Sequence, residues 1–169
     1  MKTLSVLLSL LLTVSSSADE LKVTYHVADE KITLELTTRR LELGKRKLSY
    51  QPVDGGGRML LLDGVEVVGT DLMYPSEKTE EFSLFRVNWN GQDLPVDPKL
   101  FSGFLNPNLK TELLDSGYAP LKIIVDPLGQ WVQLLMFGAD GGGSYQVSWL
   151  LRKNGKHSLC DPKVFEFSN

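Results

Sequence analysis

One cysteine in 169 residues, Cys160, excludes an intrachain disulfide, and with only two histidines, His26 and His157, the chain has no recognisable zinc-ligand spacing. No Asn-x-Ser/Thr acceptor occurs, and no Gly-x-Ser-x-Gly elbow marks a serine hydrolase. Beyond the N-terminus there is no apolar run of the roughly 20 residues that crosses a bilayer. Neither sign of charge dominates: 18 Lys and Arg face 21 Asp and Glu, a net charge of −3, which argues against a general nucleic-acid binder. With 42% hydrophobic, 23% charged and 9% aromatic residues, the composition excludes both disorder and a fibrous repeat.

What is present begins with an export signal. Lys2 gives a short positive region, Leu4 to Val14 an apolar stretch of the right length, and Ser16-Ser17-Ala18 small residues before the cleavage position. Residues 1–18 are therefore expected to be a signal peptide removed near Ala18, leaving a single β-rich domain over 19–169. The product is expected to be periplasmic or secreted. Export with one cysteine and no sequon fits a bacterial envelope or medium better than a small eukaryotic secreted domain.

Periodicity predicts an all-β fold. Val23, Tyr25 and Val27 alternate with Lys22, Thr24 and His26, and Ile32, Leu34 and Leu36 alternate with polar neighbours, which is the two-residue period of half-buried strands. A third strand is expected to carry Leu41 and Leu43, followed by a turn at Gly44-Lys45. Asp63-Gly64 and Asn90-Gly91 predict type I′ hairpins, and Asp126-Pro127-Leu128-Gly129 another tight turn. A closing meander runs from Ser144 through Lys153–Lys156 to a strand from His157 and a last run over Val164 to Phe167. Asn106 to Gly117 reads as the one short helix, with Asn106 as its N-cap. About ten short strands without strand-helix alternation predict a single antiparallel β-sandwich, or a partly open barrel. Lys31, Lys45 and Lys47 are expected to guard sheet edges. Leu43-Gly44 before Asp54-Gly55-Gly56-Gly57 faintly resembles Leu128-Gly129 before Asp140-Gly141-Gly142-Gly143, a spacing that chance explains better than two related halves, since glycine and leucine are common and the second copy is one residue longer.

Reactive groups are sparse, and each has an ordinary structural reading. The two Asp-Gly-Gly-Gly segments lack the following Lys-Ser/Thr and helix of a phosphate loop, so they read as hairpin tips. His157 and Cys160, three apart, fall on opposite faces of a strand and do not form a nucleophile–base pair unless the chain turns. Asp97, Asp126 and Asp161 precede prolines and read as turn organisers, although with Glu166 they are the acids from which a glycosidase-like pair would be drawn. Trp149 reads as core. Trp89, Trp131 and Tyr118 are candidate ligand-binding aromatics near a rim, suited to sugar rings or apolar peptide segments, and Trp131 shares its face with Gln133, Leu135 and Phe137. Arg39, Arg40, Lys45, Arg46 and Lys47 form a basic cluster that is a candidate contact for an anionic partner.

The sequence thus leads to an exported, non-catalytic binding or structural module of the cell envelope or extracellular space. No catalytic residue, metal or cofactor is assigned, and a glycan or an envelope protein is the expected partner, with no nucleic acid. The alternatives are a carbohydrate- or peptide-acting hydrolase using a carboxylate pair, and an accessory subunit docking through a sheet edge or the basic hairpin.

Overall fold

In the computed structural model the described residues are 15–17, 20–69, 75–111, 119–139 and 144–164. They form twelve strands in three antiparallel sheets. The first sheet contains β1 (Ser15–Ser17), β2 (Glu20–Val27), β3 (Glu30–Arg40), β7 (Glu80–Trp89) and β8 (Gln92–Leu94), in that spatial order. The second is a meander of β9 (Leu121–Val125), β10 (Trp131–Gly138), β11 (Tyr145–Arg152) and β12 (Ser158–Val164). Between β3 and β7, which pair directly, the chain leaves to build a small third sheet from β4 (Leu48–Pro52), β5 (Arg58–Leu62) and β6 (Val65–Glu66).

Alternation puts the apolar side chains of the two larger sheets face to face, which gives the sandwich. Leu21, Val23 and Tyr25 on β2, Ile32, Leu34 and Leu36 on β3, and Val87 on β7 pack toward Val132, Leu134 and Met136 on β10 and Val147, Trp149 and Leu151 on β11. Trp149 lies at the centre of this interior with no exposed surface. Its ring meets Phe82, Phe85 and Phe104 edge-on, at centroid distances of 5.9, 5.4 and 5.7 Å. Its Nε1 donates to the Leu100 carbonyl at 2.6 Å, so a core aromatic also holds a surface loop.

A bulge makes that cluster possible. Thr37 pairs with Leu84 but Thr38 with Phe82, which leaves Ser83 as the extra residue of β7. Phe82 and Phe85, three apart, then both turn inward. A second irregularity in the β11–β12 ladder leaves Asp161 and Pro162 without paired residues, as suits a proline with no N–H to give.

Local signals are matched by the hairpins. Asp63 and Gly64 have φ of 54° and 83°, and Asn90 and Gly91 51° and 83°, the left-handed pairs that type I′ turns require. Four expectations are corrected. β3 runs on to Arg40, and Leu43–Lys45 form a 3-10 turn, so Leu41 and Leu43 lie on no strand; Leu41 instead packs with the buried residues of the third sheet. Asn106 is no N-cap. It sits at φ 50°, where its side chain donates to the Gly69 carbonyl (2.7 Å) and accepts from the Glu80 N–H (3.0 Å), and residues 107–111 are not helical; 112–117 lie outside the described residues. Lys31 guards no edge, because β3 is interior to its sheet. His157 also precedes the last strand, which runs unbroken to Val164; 165–167 lie outside the described residues.

The turn end of the sandwich is gathered by Glu30, whose side chain is 13% exposed. Its Oε2 accepts from Trp89 Nε1 at 2.9 Å and Asn90 Nδ2 at 2.6 Å, and its Oε1 pairs with the Lys153 ammonium. The Lys153 contact, followed by those amide and indole donors against a desolvation cost, holds the Glu30 carboxyl below the usual carboxylate range. One carboxylate therefore joins the first sheet to the turn after β11.

At the other end, Gly138 faces Tyr145 across the β10–β11 ladder, and a Cβ there would lie 2.1 Å from the phenol ring. Tyr145 is fully buried and its hydroxyl has no hydrogen-bond partner among the described residues, so within them the ring is held by its fit.

Trp149→Ala is expected to destabilise the fold by about 3–5 kcal/mol, a large-to-small core cost, and to loosen the loop that Leu100 anchors. Urea unfolding of this variant beside Trp131→Ala, whose ring is only half-buried, measures the contrast; equal losses would show that Trp149 is not the centre of the packing.

Candidate functional site

The third sheet buries Leu60, Leu62 and Val67 against Leu41 and Leu105 in a cluster of its own. It is stitched to the sandwich by the segment 103–106. Val68 N–H donates to the Gly103 carbonyl (2.9 Å), Leu105 N–H to the Val68 carbonyl (3.0 Å), and Asn106 N–H to the Glu80 carbonyl (2.8 Å). Gly103 lies so close to the third sheet that a Cβ would fall 2.3 Å from the Glu66 carbonyl oxygen. This seam leaves a cleft of about 230 Å³ between the third sheet and the sandwich.

Its floor and walls are largely apolar: Phe82 from β7, Phe101 just before the stitching segment, Phe104 and Leu105 within it, and Leu62, Val65 and Val67 from the third sheet and the residues after it, with Ser102 a polar exception. The mouth is charged. Arg39, near the end of β3, directs Nε and Nη2 at Glu81 Oε1, at 3.0 and 2.9 Å. Arg46, just past the 3-10 turn, places Nη1 at 2.9 and 3.2 Å from the two Glu81 oxygens and its Nε against Asp63. The result is an alternating chain, Arg39–Glu81–Arg46–Asp63. Asp63 is fixed by its turn: its Oδ1 accepts the Lys47 N–H at 2.8 Å while its own N–H donates to the Lys47 carbonyl. The Lys47 N–H, outweighing desolvation and joined by Arg46, holds the Asp63 carboxyl below its ordinary range.

Of the basic cluster, then, Arg39 and Arg46 meet at the cleft, seven residues apart in sequence, and both are engaged by acids. Lys45 pairs with Glu42 at 2.7 Å. Arg40 and Lys47 have no ion-pair partner among the described residues. Glu81, a residue that no sequence motif singles out, is the link between the two arginines, brought opposite Arg39 by the pairing of β3 with β7.

Of the candidate aromatics, Trp89 and Trp131 do not come together. Trp89, expected near a rim, is 3% exposed and packed in the core, a correction to its placement. Strand parity points it inward with Phe85 and Val87, and Glu30 takes its N–H. Trp131 is half-buried on the outer face of β10, in line with Gln133, Leu135 and Phe137. Tyr118 lies outside the described residues, as do the second glycine tip at 140–143 and the side chains of Asp161 and Glu166. The first glycine tip, 54–57, is the exposed end of the β4–β5 hairpin.

The remaining reactive groups are in structural use. Asp97 accepts from Lys99 N–H and Asp126 from Gln130 N–H, both at 3.0 Å, as turn aspartates do. Cys160 is exposed, paired opposite Ser148. His157 Nδ1 accepts the Arg152 N–H at 3.1 Å, so that lone pair is not available to a neighbouring thiol. Among the described residues no three His, Cys, Asp or Glu side chains gather as a metal would require, and no helix is long and apolar enough to cross a membrane.

Compared with protein-family models, curated proteins and solved structures, the chain gives no match in any of the three. What the cleft does is read from its own groups. Two carboxylates reach its mouth, as a hydrolase would need, but Arg46 lies on both, and the shift at Asp63 is downward, opposite to that of a general acid at neutral pH.

Burial holds the His157 imidazole below its ordinary value, with the Arg152 charge acting the same way and the Leu94 backbone opposing. The folded state thus binds the proton less readily than the unfolded chain, so the stability this neutral imidazole supports is complete above about pH 6.5 and falls as the pH drops below it. An NMR titration is expected to place the His157 midpoint below 6.5, with a parallel loss of thermal stability that His157→Gln reduces. A midpoint at or above 6.5 would contradict the burial argument.

Proposed function

We propose that the protein is an exported, non-catalytic binding module that engages its partner at the cleft between the third sheet and the sandwich. The observation that carries this reading is the pairing of an unfilled apolar hollow with a mouth whose charged groups are already positioned by one another. A rim held in place before binding spares the ordering cost that flexible lysines and arginines otherwise impose. Among the described residues, most of the large apolar side chains that stay exposed lie in this part of the chain: Leu48, Tyr50, Val53 and Val65 belong to the third sheet and its hairpins, against Ile124 and Leu128 elsewhere.

Export follows from the N-terminal pattern of a charge, an apolar run and small residues. Of that leader, the described residues Ser15–Ser17 add only a three-residue edge strand, so its removal leaves the core pairing of β2 with β3 untouched. Chain recovered from outside the cytoplasm is expected to begin at Asp19 on N-terminal sequencing; recovery only of the full-length chain from the cytosol would overturn the export half of the proposal.

A second reading places the partner, a glycan, on the outer face of β10, where Trp131 and Leu135 stand half-buried beside Ile124 of the neighbouring strand. Methyl-labelled protein titrated with soluble extract of the cell envelope separates the two. The cleft predicts changes at Leu62, Val65, Val67 and Leu105. Changes confined to Leu135 and Ile124 would move the site to the outer face, and an unchanged spectrum would remove the binding role.

A further inference from the structure

Resting on the cleft as the binding site, its dimensions and its hydrogen-bonding inventory narrow the class of partner. A hollow of about 230 Å³ is smaller than the roughly 300–1,000 Å³ of pockets that take whole cofactors or drug-sized ligands. It is larger than the roughly 150 Å³ that suffices for a benzene ring in an apolar cavity. The space fits one bulky side chain presented by a larger molecule. Half of its lining residues agree, being aromatic or branched aliphatic: Phe82, Phe101, Phe104, Leu62, Val65, Val67 and Leu105.

The mouth is short of acceptors. Both Glu81 oxygens accept from arginine, and the two Asp63 oxygens are taken by the Lys47 N–H and Arg46. The donors are not used up. Arg39 spends Nε and Nη2 on a single oxygen, leaving Nη1, and Arg46 leaves Nη2. The Arg39 side chain is 62% exposed, so its free N–H groups face solvent at the entrance. In the segment around it, Arg40 and Lys47 add charge that no ion pair among the described residues cancels. Surplus cationic donors above an apolar hollow complement a carboxylate set beside a large apolar group.

We propose that the cleft binds an acidic polypeptide segment, inserting one bulky apolar side chain between Phe101, Phe104 and Val65 while a flanking carboxylate accepts from the free guanidinium edges of Arg39 and Arg46. The apolar residue supplies the burial, and the carboxylate fixes the direction in which the segment lies. Lactam or sugar recognition would call for acceptors that the carboxylates of this mouth have already committed, and a free phosphate, which the same N–H groups would suit, brings no apolar group to fill the hollow.

A random-peptide display library panned against the intact protein tests this. Enriched peptides are expected to carry Phe, Leu or Met next to Asp or Glu. Their binding is expected to weaken about tenfold in Arg39→Gln, which removes the charge-assisted contacts, and with rising salt. It is expected to disappear in Val65→Trp, where a larger side chain at a 43% exposed position fills the hollow without entering the core. Thermal melts matching the unaltered protein establish that both variants are folded, and a variant that melts early is replaced by Arg39→Lys or Val65→Phe. Enrichment of basic or purely polar peptides, binding indifferent to Val65→Trp, or no enrichment at all would overturn the assignment. If envelope extract still perturbs the cleft methyl groups in that case, the binding role stands and only the peptide class fails; if those methyl groups are also silent, both fail.

Discussion

Trp149 does more than fill space. From the middle of β11 it presents its ring to Phe82, Phe85 and Phe104 and its N–H to Leu100, so one side chain fixes the distance between the two large sheets and the course of the chain that crosses from one to the other. Edge-on aromatic pairs contribute about 0.5–1.5 kcal/mol each beyond the area they bury, and a buried indole N–H without an acceptor would cost about as much again. The crossing segment is what the third sheet leans on. Gly103 and Leu105 hydrogen-bond Val68, and Asn106 holds Gly69 to Glu80, so the chain that follows the loop pinned at Leu100 forms the seam beside the cleft.

The opposite end of the sandwich is organised by charge instead of aromatic packing. Glu30 draws together Trp89, Asn90 and Lys153, and its aliphatic part lies where a Cβ on Gly129 would have to go, at 2.7 Å. Turns after β2, β7, β9 and β11 thereby meet around one carboxylate. A sandwich made of sequential hairpins has no long crossing strand to lock its sheets in register, and these two unlike clusters, one at its centre and one at its end, supply that lock.

How much of this was legible from sequence depends on the distance over which the deciding contact acts. Alternation of apolar residues identified β2 and β3 and their inward faces, and Asp63-Gly64 and Asn90-Gly91 identified the β5–β6 and β7–β8 turns, because each signal and its cause lie within a few residues. Where the cause is remote, the reading failed. Leu41 looks like a strand residue, but it turns in to join Leu60, Leu62 and Leu105. Asn106 has the chemistry of a cap, and it uses that chemistry across the fold, on Gly69 and Glu80, in a left-handed conformation that no helix start adopts. Trp89 looked like a rim residue because it adjoins a turn, although its strand parity already matched Phe85 and Val87.

The cleft shows the same division. Its cations were visible as a cluster, since Arg39 and Arg46 lie close in sequence, but a run of basic residues says nothing of what will oppose it. The opposing acids come from 81 and 63, one brought by strand pairing and the other by a hairpin turn, and they change what the arginines can do. Free, five cations would attract any polyanion by long-range charge. Held as Arg39–Glu81–Arg46–Asp63, the two at the cleft lose most of that field and keep only directed N–H groups at short range, above an apolar hollow. On the proposed reading such a mouth would discriminate by shape and donor geometry more than by net charge, in a protein whose overall charge is negative. The insertion of a small sheet between two paired strands is therefore what turns a plain basic stretch into a site with a floor.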